Sequence, residues 1–436
     1  MMIAILIVYL NFQTKKISED NLTKLPNRET FFQITEFNAR KNRSATLLLI
    51  SLDDFQVIND TYGQVKGDTY LVAVAKGIGE LFPNQSVFRY SGDEFVVALK
   101  DSYPLRHGRQ PIEHAMERFN LPWVVDGIPV WLGASMVVLR FPFKTEEPVD
   151  PIALMDYAMR TAKKLGKRQG VLCDESTFRA MKRRNRLIQE LGKRITSGTF
   201  TLNYQPIYNL DNGKMMMAEA LIRMHDEILG EVGPAEFIPL AEEAGLINLV
   251  GMWVFEQVCI FINRLQKKGL QIPSISINFS GQQFVDTHLL ENIVGLLGSY
   301  QIPRGTIKLE ITESTFIGAS YQEILSIMNP LIEQGILFHL DDFGTGYSNL
   351  SYVINLPFEC VKLDKTLLWD VDNKDRMQLF IETLIKGVVQ TGAKVIVEGI
   401  ETQSQVDFLR RAKCDMVQGY IFSPPMTVED FETSLS

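Results

Sequence analysis

Residues that staple a fold or bind soft metals are scarce: four cysteines, Cys173, Cys259, Cys360 and Cys414, and five histidines in 436 residues. No CxxC pair occurs and no histidine stands at zinc-ligand spacing, which excludes a disulfide-stapled miniprotein and a zinc module. The thiols read as reduced and mostly core. Basic residues are also in deficit, with 44 Lys and Arg against 52 Asp and Glu and a formal charge of −8. A nucleic acid polymer would meet net repulsion, whereas a small anion held by metal ions is compatible. No repeat of 20 to 50 residues and no low-complexity stretch occurs, which argues against solenoids and propellers.

Long apolar runs are missing too. Residues 1–10 are continuously apolar, with Lys15 and Lys16 just after, but about 20 residues are needed to span a bilayer. The run lacks the basic start and small-residue cleavage site of a signal peptide. It reads as the end of a membrane helix, as an interfacial anchor, or as a plain hydrophobic helix. The first two expect inner-membrane association with the remaining chain on the cytoplasmic side.

What is present is 46% hydrophobic residues, enough for two cores. The expected divisions are a hydrophobic segment at 1–17, a first domain at 18–172, a helical linker at 173–192 and a second domain at 193–436. In the linker, Phe178, Met181, Ile188 and Leu191 share a helical face among Lys182, Arg183, Arg184 and Arg186, a solvated face rather than a nucleic-acid surface. In the first domain, TLLLISL at 46–52 predicts a buried strand. Residues 87–99 predict two strands around the turn Ser91-Gly92-Asp93, giving an α+β sandwich. From residue 200, short apolar strands alternate with helices: FTLNY, MMMAEAL, SISIN, IKLEI, LFHLD, CVKL, AKVIVE and a weak run at Met416-Val417. Eight such runs fit a TIM-type (β/α)8 barrel.

Glu219, Asn278, Glu310, Asp341, Lys362 and Glu398 each fall in or at the end of one of these strands, where a barrel keeps its active site. Surface ion pairs or helix caps explain any one of them, but not six. With Asp342, the carboxylates are too many for an apolar mouth unless cations neutralise them. Oxygen donors without sulfur point to Mg²⁺ or Mn²⁺. Five carboxylates exceed what one octahedral ion uses, so two ions are expected, about 3.5 to 4 Å apart, a spacing suited to in-line displacement at a phosphodiester. Lys362 would orient or deprotonate the water, its pKa lowered by burial and nearby metal. His339 shares the strand face of Asp341 and is expected as a packed barrel histidine rather than a ligand.

Glu219-Ala220-Leu221-Ile222-Arg223 resembles the signature of the EAL family, phosphodiesterases that hydrolyse the bacterial second messenger cyclic di-GMP to linear pGpG. The resemblance covers about 180–436 and continues through YQPI with Gln205, SINFS with Asn278, LEITES with Glu310 and Glu313, and DDFGTGYSNL with Asp341 and Asp342. VKLD with Lys362 and Asp364, VEGIE with Glu398 and Glu401, and QGY with Gln418 follow. It implies that Glu219, Asn278, Glu310 and Asp341 bind a first metal. Asp341, Asp342 and Lys362 would surround a second metal and the attacking water, with Glu398 completing the shell. Catalysis would thus rest on Lys362, Glu219, Asp341 and Asp342, and substrate binding on Gln205, Leu221, Arg223, Asp364 and Gln418. Glu313 would anchor the loop 342–348, glycine-rich at Gly344 and Gly346, that couples metal occupancy to a homodimer contact through this domain.

Arg89-Tyr90-Ser91-Gly92-Asp93-Glu94-Phe95 resembles the turn of GGDEF domains, ferredoxin-like cyclase palms that join two GTP molecules into cyclic di-GMP. The resemblance covers about 18–172. It implies a nucleotide site with Asn59 and Asp68 reading guanine and Asp93 and Glu94 in the turn. Departures mark it as degenerate: Ser51 stands at the first metal aspartate, and Asp53 lies one strand repeat too far to replace it. Asp93 would then be the main remaining carboxylate. Gln56 and Lys167 replace a usual lysine and arginine, Gly133-Ala134-Ser135 inverts the usual Ser-x-Gly, and Phe82 and Gln85 stand where the family's inhibitory site would place Arg and Asp, so product feedback there is not expected. The resulting expectation is a cyclic di-GMP phosphodiesterase with a regulatory, GTP-binding or purely structural first domain. The alternatives are a catalytically inactive cyclic di-GMP or GTP receptor acting through a protein partner, and a bifunctional cyclase and phosphodiesterase.

Overall fold

The structure, a computed structural model, describes all residues except 1–17, 41–43, 101–102, 104–106, 142–149, 317–319, 345–349, 369–374 and 436. The apolar run at 1–10 therefore lies outside the described residues. Among the described residues no helix is long and apolar enough to cross a membrane, which corrects the expected inner-membrane association.

The chain divides into two compact units, Met1–Arg184 and Asn185–Ser436, and the helix Glu175–Ser197 runs through the boundary. Some of its basic residues are engaged in ion pairs. Arg186 holds Asp226 through two 3.1 Å hydrogen bonds, and Lys193 pairs with Glu190 at 2.6 Å.

In the first unit β1 (Ala45–Leu52) is apolar on both faces because both are covered. Leu48, Ile50 and Leu52 pack with Tyr70, Val74 and Ile78, whereas Leu47 and Leu49 pack with Phe31, Leu154 and Met155. β2 (Ser86–Ser91) and β3 (Glu94–Leu99) form the expected hairpin; β4 (Trp123–Val125) and β5 (Ile128–Val130) form a separate ribbon. β6 (Ala134–Phe141) and β7 (Gly170–Cys173) complete a sheet of order β2-β3-β1-β6-β7. β1 is antiparallel to both neighbours, the ferredoxin-like palm arrangement.

The second unit contains β8 (Thr201–Asn209), β9 (Met215–Asp226) with β10 (Gly230–Val232) on its edge, β11 (Ser274–Asn278), β12 (Ile307–Thr312) and β13 (Leu337–Phe343). It continues with β14 (Phe358–Leu363), β15 (Lys394–Val397), β16 (Met416–Val417) and the short β17 (Met426–Thr427) beside β8. Seven strands run parallel from β9 to β16, and β8 closes the barrel antiparallel to both β9 and β16. This departs from the all-parallel TIM pattern. The cause is local: Asn212-Gly213, with Gly213 at φ 67°, is a hairpin turn that folds β9 straight back on β8. Ile207, Met217, Cys360, Ile396 and Met416 fill part of the barrel interior, so it is a packed core rather than a pore. All four cysteines are free and buried, and burial pushes Cys173, Cys259 and Cys414 up to about 12.

Candidate active site

Strand register assembles the mouth. It sets Asn278 opposite Glu310, Ser276 opposite Glu219 and Thr312 opposite Asp341, so the polar ends of β9, β11, β12 and β13 stand side by side. At their centre Lys362, only 1% exposed, points its Nζ at four carboxylates. The distances are 2.5 Å to Glu398, 2.8 Å to Glu310, 3.2 Å to Asp341 and 3.4 Å to Glu219. Asn278 donates to Glu219 at 2.6 Å, and Gln418 donates to the other Glu219 oxygen at 2.7 Å.

Adjacent residues of a regular strand face opposite sides, yet Asp341 and Asp342 both reach the mouth. The β13–β14 register shifts between Leu340 and Phe343, and Asp342 adopts the left-handed φ of 53°. This bulge re-aims the second carboxylate. Gly344 at φ 105° continues the turn in a conformation that suits glycine. Among the described residues, Asp341, Asp342 and Glu398 bring carboxylate oxygens within 4.8 Å of one another.

The charge balance is strongly negative. Burial pushes Asp341 up to about 7, and Glu310, Glu219 and Asp342 add repulsion that Lys362 only partly offsets. Glu398 is raised well above the carboxylate range for the same reasons. Burial opposes ionisation of Glu310, but Lys362 and His339 outweigh it and bring its carboxyl to about 2. Burial also works against the Lys362 ammonium, but Asp341, Glu219, Glu310 and Glu398 together raise its pKa well above the usual value. In the cation-free site, four acids thus overrule the desolvation penalty that was expected to lower the Lys362 pKa. Burial and repulsion from Asp364 also raise Asp342. Asp342→Asn removes that repulsion and is expected to raise the melting temperature of the cation-free protein while lowering activity, as sites built for function commonly trade stability; thermal melts in EDTA check the first part.

The surrounding residues fall into place unevenly. Gln205 is buried, accepts from Gln418 at 3.1 Å and donates to the Ser423 carbonyl at 3.3 Å. Gly419 permits this arrangement, because a Cβ there would lie 2.2 Å from the Ile400 carbonyl oxygen. Leu221 lines the cavity; Arg223, whose guanidinium donates to the Ile222 carbonyl at 3.0 Å, and Asp364, which caps Thr366 at 2.8 Å, lie outside its lining. Glu313 opens a 3-10 turn after β12. Residues 345–349 of the loop it was expected to anchor, Gly346 included, lie outside the described residues.

A cavity of about 740 Å³ opens on the carboxylates and is walled opposite by Pro234, Ile238, Pro239, Ile247 and Val254. The sequence reading missed this apolar wall, and also Glu242, which accepts from the Ser280 hydroxyl. Signals existed: Gly233-Pro234 opens the helix Pro234–Glu243, and Ser280 with Gln283 forms a capping box.

In the first unit, Ser51 donates to Glu94 at 3.3 Å, so Glu94 rather than Asp93 is the carboxylate beside it. Burial raises the Glu94 pKa, with Lys163 opposing and Asp93 adding. Glu94 lines a cavity of about 240 Å³ with Arg28, Tyr90, Asp156, Arg160 and Lys163; Asn59, Asp68 and Asp93 are not in its lining. Asp53 is already committed, accepting from the Ser135 hydroxyl and the Arg168 amide, both at 2.8 Å. Lys167 pairs with Asp54 at 2.5 Å.

Fold and site together define a cyclase-type palm unit followed by an eight-stranded barrel with a lysine-centred acidic mouth. The chain belongs to the EAL family: the EAL domain model matches residues 188–425, over half of the chain, and the diguanylate cyclase GGDEF domain model matches residues 17–169 in tandem. The chain is similar to the bifunctional diguanylate cyclase/cyclic di-GMP phosphodiesterase MucR of Pseudomonas aeruginosa, 30% identical over 96% of this chain and 61% of that protein. It is also similar to the cyclic di-GMP phosphodiesterase NbdA of the same organism, 28% identical over 95% of this chain and 54% of that one. The chain thus spans little more than half the length of these relatives. A solved structure of the MucR phosphodiesterase in complex with c-di-GMP covers 56% of this chain and 99% of its own, at 30% identity and a TM-score of 0.53.

Proposed function

We propose that the barrel hydrolyses cyclic di-GMP to linear pGpG with Mg²⁺ or Mn²⁺, two ions per site. The first domain (18–172), joined through 173–192 to the barrel domain (193–436), is proposed as a degenerate, GTP-binding regulatory module. The observation that carries this reading is the ring of Glu219, Glu310, Asp341 and Glu398 around the buried Lys362 ammonium. The donor set fits hard divalent cations. It is all oxygen, four carboxylates share one ammonium, and the buried Oε1 of Glu310 has no hydrogen-bond partner.

Glu219, Asn278, Glu310 and Asp341 would hold one cation, and Asp341 and Asp342 the other, with Glu398 completing the set. When bound, such ions supply Lewis acidity toward the phosphodiester and the attacking water. Lys362 gathers the four carboxylates and would orient or deprotonate the attacking water, since cations on those carboxylates would offset the charge that holds it as an ammonium. Gln205, Arg223, Asp364 and Gln418 position the substrate, with the Arg223 fork suited to a phosphate. The apolar wall at Pro234 and Ile238 suits a flat base. A homodimer through the barrel belongs to the same reading.

Ca²⁺, larger and flexibly coordinated, is expected to permit cyclic di-GMP binding without turnover, and exchange into Mn²⁺ to start pGpG release. Binding with no release under any of the three ions would favour the inactive-receptor alternative. In the first unit, Ser51 and the committed Asp53 support loss of cyclase chemistry. GTP supplied to the Glu219→Ala chain is expected to yield no cyclic di-GMP by chromatography, whereas product there would establish the bifunctional alternative.

A further inference from the structure

One side of the barrel interior is polar, unlike the apolar cluster around Cys360. Glu310, 1% exposed, uses Oε2 to accept from Lys362 at 2.8 Å. Its Oε1 faces His339 Nδ1 at 3.8 Å, and neither atom has a hydrogen-bond partner. Register sets the two residues directly opposite on β12 and β13. The other face of the ring, Nε2, lies 3.4 Å from Glu359 Oε2. Glu359 is tied to the barrel floor by Lys308 at 2.6 Å and Lys394 at 3.3 Å. A column therefore runs from the floor pair through a 1% exposed imidazole to a carboxylate of the mouth.

Resting on the cation-dependent reading above, we infer that His339 is a positioning residue that fixes the carboxylate plane of Glu310 for a divalent cation. Lys362 restrains only one Glu310 oxygen. The ring occupies the space into which the other would turn, and Glu359 in turn fixes the ring. Outer-shell partners of this kind typically control metal affinity by about 10- to 100-fold.

The test is Mn²⁺ binding to the full chain, read from the free-ion electron paramagnetic resonance signal, for the unmodified protein, His339→Ala, His339→Gln and Glu359→Gln. His339→Ala is expected to weaken Mn²⁺ binding about 10- to 100-fold, leaving KM for cyclic di-GMP at saturating Mn²⁺ unchanged. His339→Gln, whose amide spans the same two carboxylates, recovers most of the loss. Should His339→Ala not fold, Glu359→Gln carries the test and weakens binding in the same direction by a smaller factor. Unchanged Mn²⁺ affinity in a folded variant overturns the inference. Tight Mn²⁺ binding by the unmodified chain without pGpG release overturns the phosphodiesterase reading and leaves the role of His339 standing. No Mn²⁺ binding at all overturns both.

Discussion

Lys362→Met is expected to abolish detectable pGpG release, by about 10³-fold or more, and to destabilise the barrel unit at the same time. The side chain makes ion pairs with Glu219, Glu310, Asp341 and Glu398 between 2.5 and 3.4 Å, so its removal leaves four carboxylates with no ammonium among them. Removing one partner of a buried ion pair costs about 3–5 kcal/mol, which lowers the melting temperature of a unit this size by about 10 °C. Volume is nearly conserved, so a cavity does not explain the loss. Combining Lys362→Met with Glu398→Gln removes part of the stranded charge. The double variant is expected to be less destabilised than the sum of the two single variants, because neighbours in one network are not additive. Activity is not restored by the second change. Simple additivity in thermal melts would contradict the account of a shared charge cluster.

The second large effect is on stability without substrate. Mn²⁺ or Mg²⁺ is expected to bind the folded mouth and not the unfolded chain, and at about 100 times its dissociation constant to stabilise by about 2.7 kcal/mol. Removing the ions with EDTA reverses this. Acidity adds a distinctive sign. Asp341 is raised in the folded, cation-free protein to about 7 from its ordinary 3.8, so the folded state binds more protons than the unfolded state between these values. Stability from this group is full below pH 3.8 and is lost as pH rises through 7. The cation-free protein is therefore expected to melt lower at pH 8 than at pH 6. Saturating Mn²⁺ is expected to reverse that order, since the cation competes with the proton for the same oxygens. Melting temperatures at both pH values, with Mn²⁺ and with EDTA, check both signs.

Much of this was legible one residue at a time. Glu219, Asn278, Glu310, Asp341, Lys362 and Glu398 sit at the ends of short apolar runs, and strand ends of a barrel converge, so their common address needed no three-dimensional information. Asp342 was not legible from periodicity, because period-two alternation sends it away from Asp341; only the bulge and the left-handed backbone bring it back. The reversed β8 was signalled by Asn212-Gly213, but eight evenly spaced runs suggested a uniform parallel barrel. The charge state of Lys362 depends on how many carboxylates surround it, a count that strands far apart in sequence determine. The apolar wall from Pro234 to Val254 reads along the chain as ordinary amphipathic helix, and its role exists only once β9 and β11 place it across from the carboxylates. In the palm unit, Asp93 was expected to be the main carboxylate left near Ser51, but antiparallel register pairs Ser51 with Glu94.

The most direct test of the central claim is chromatographic detection of pGpG after the purified chain is incubated with cyclic di-GMP and Mg²⁺ or Mn²⁺, with Glu219→Ala alongside. The account predicts pGpG from the unmodified chain with either ion, none in EDTA and none from Glu219→Ala. Intact cyclic di-GMP in every reaction, with GTP added and at protein concentrations that favour a dimer, would contradict it.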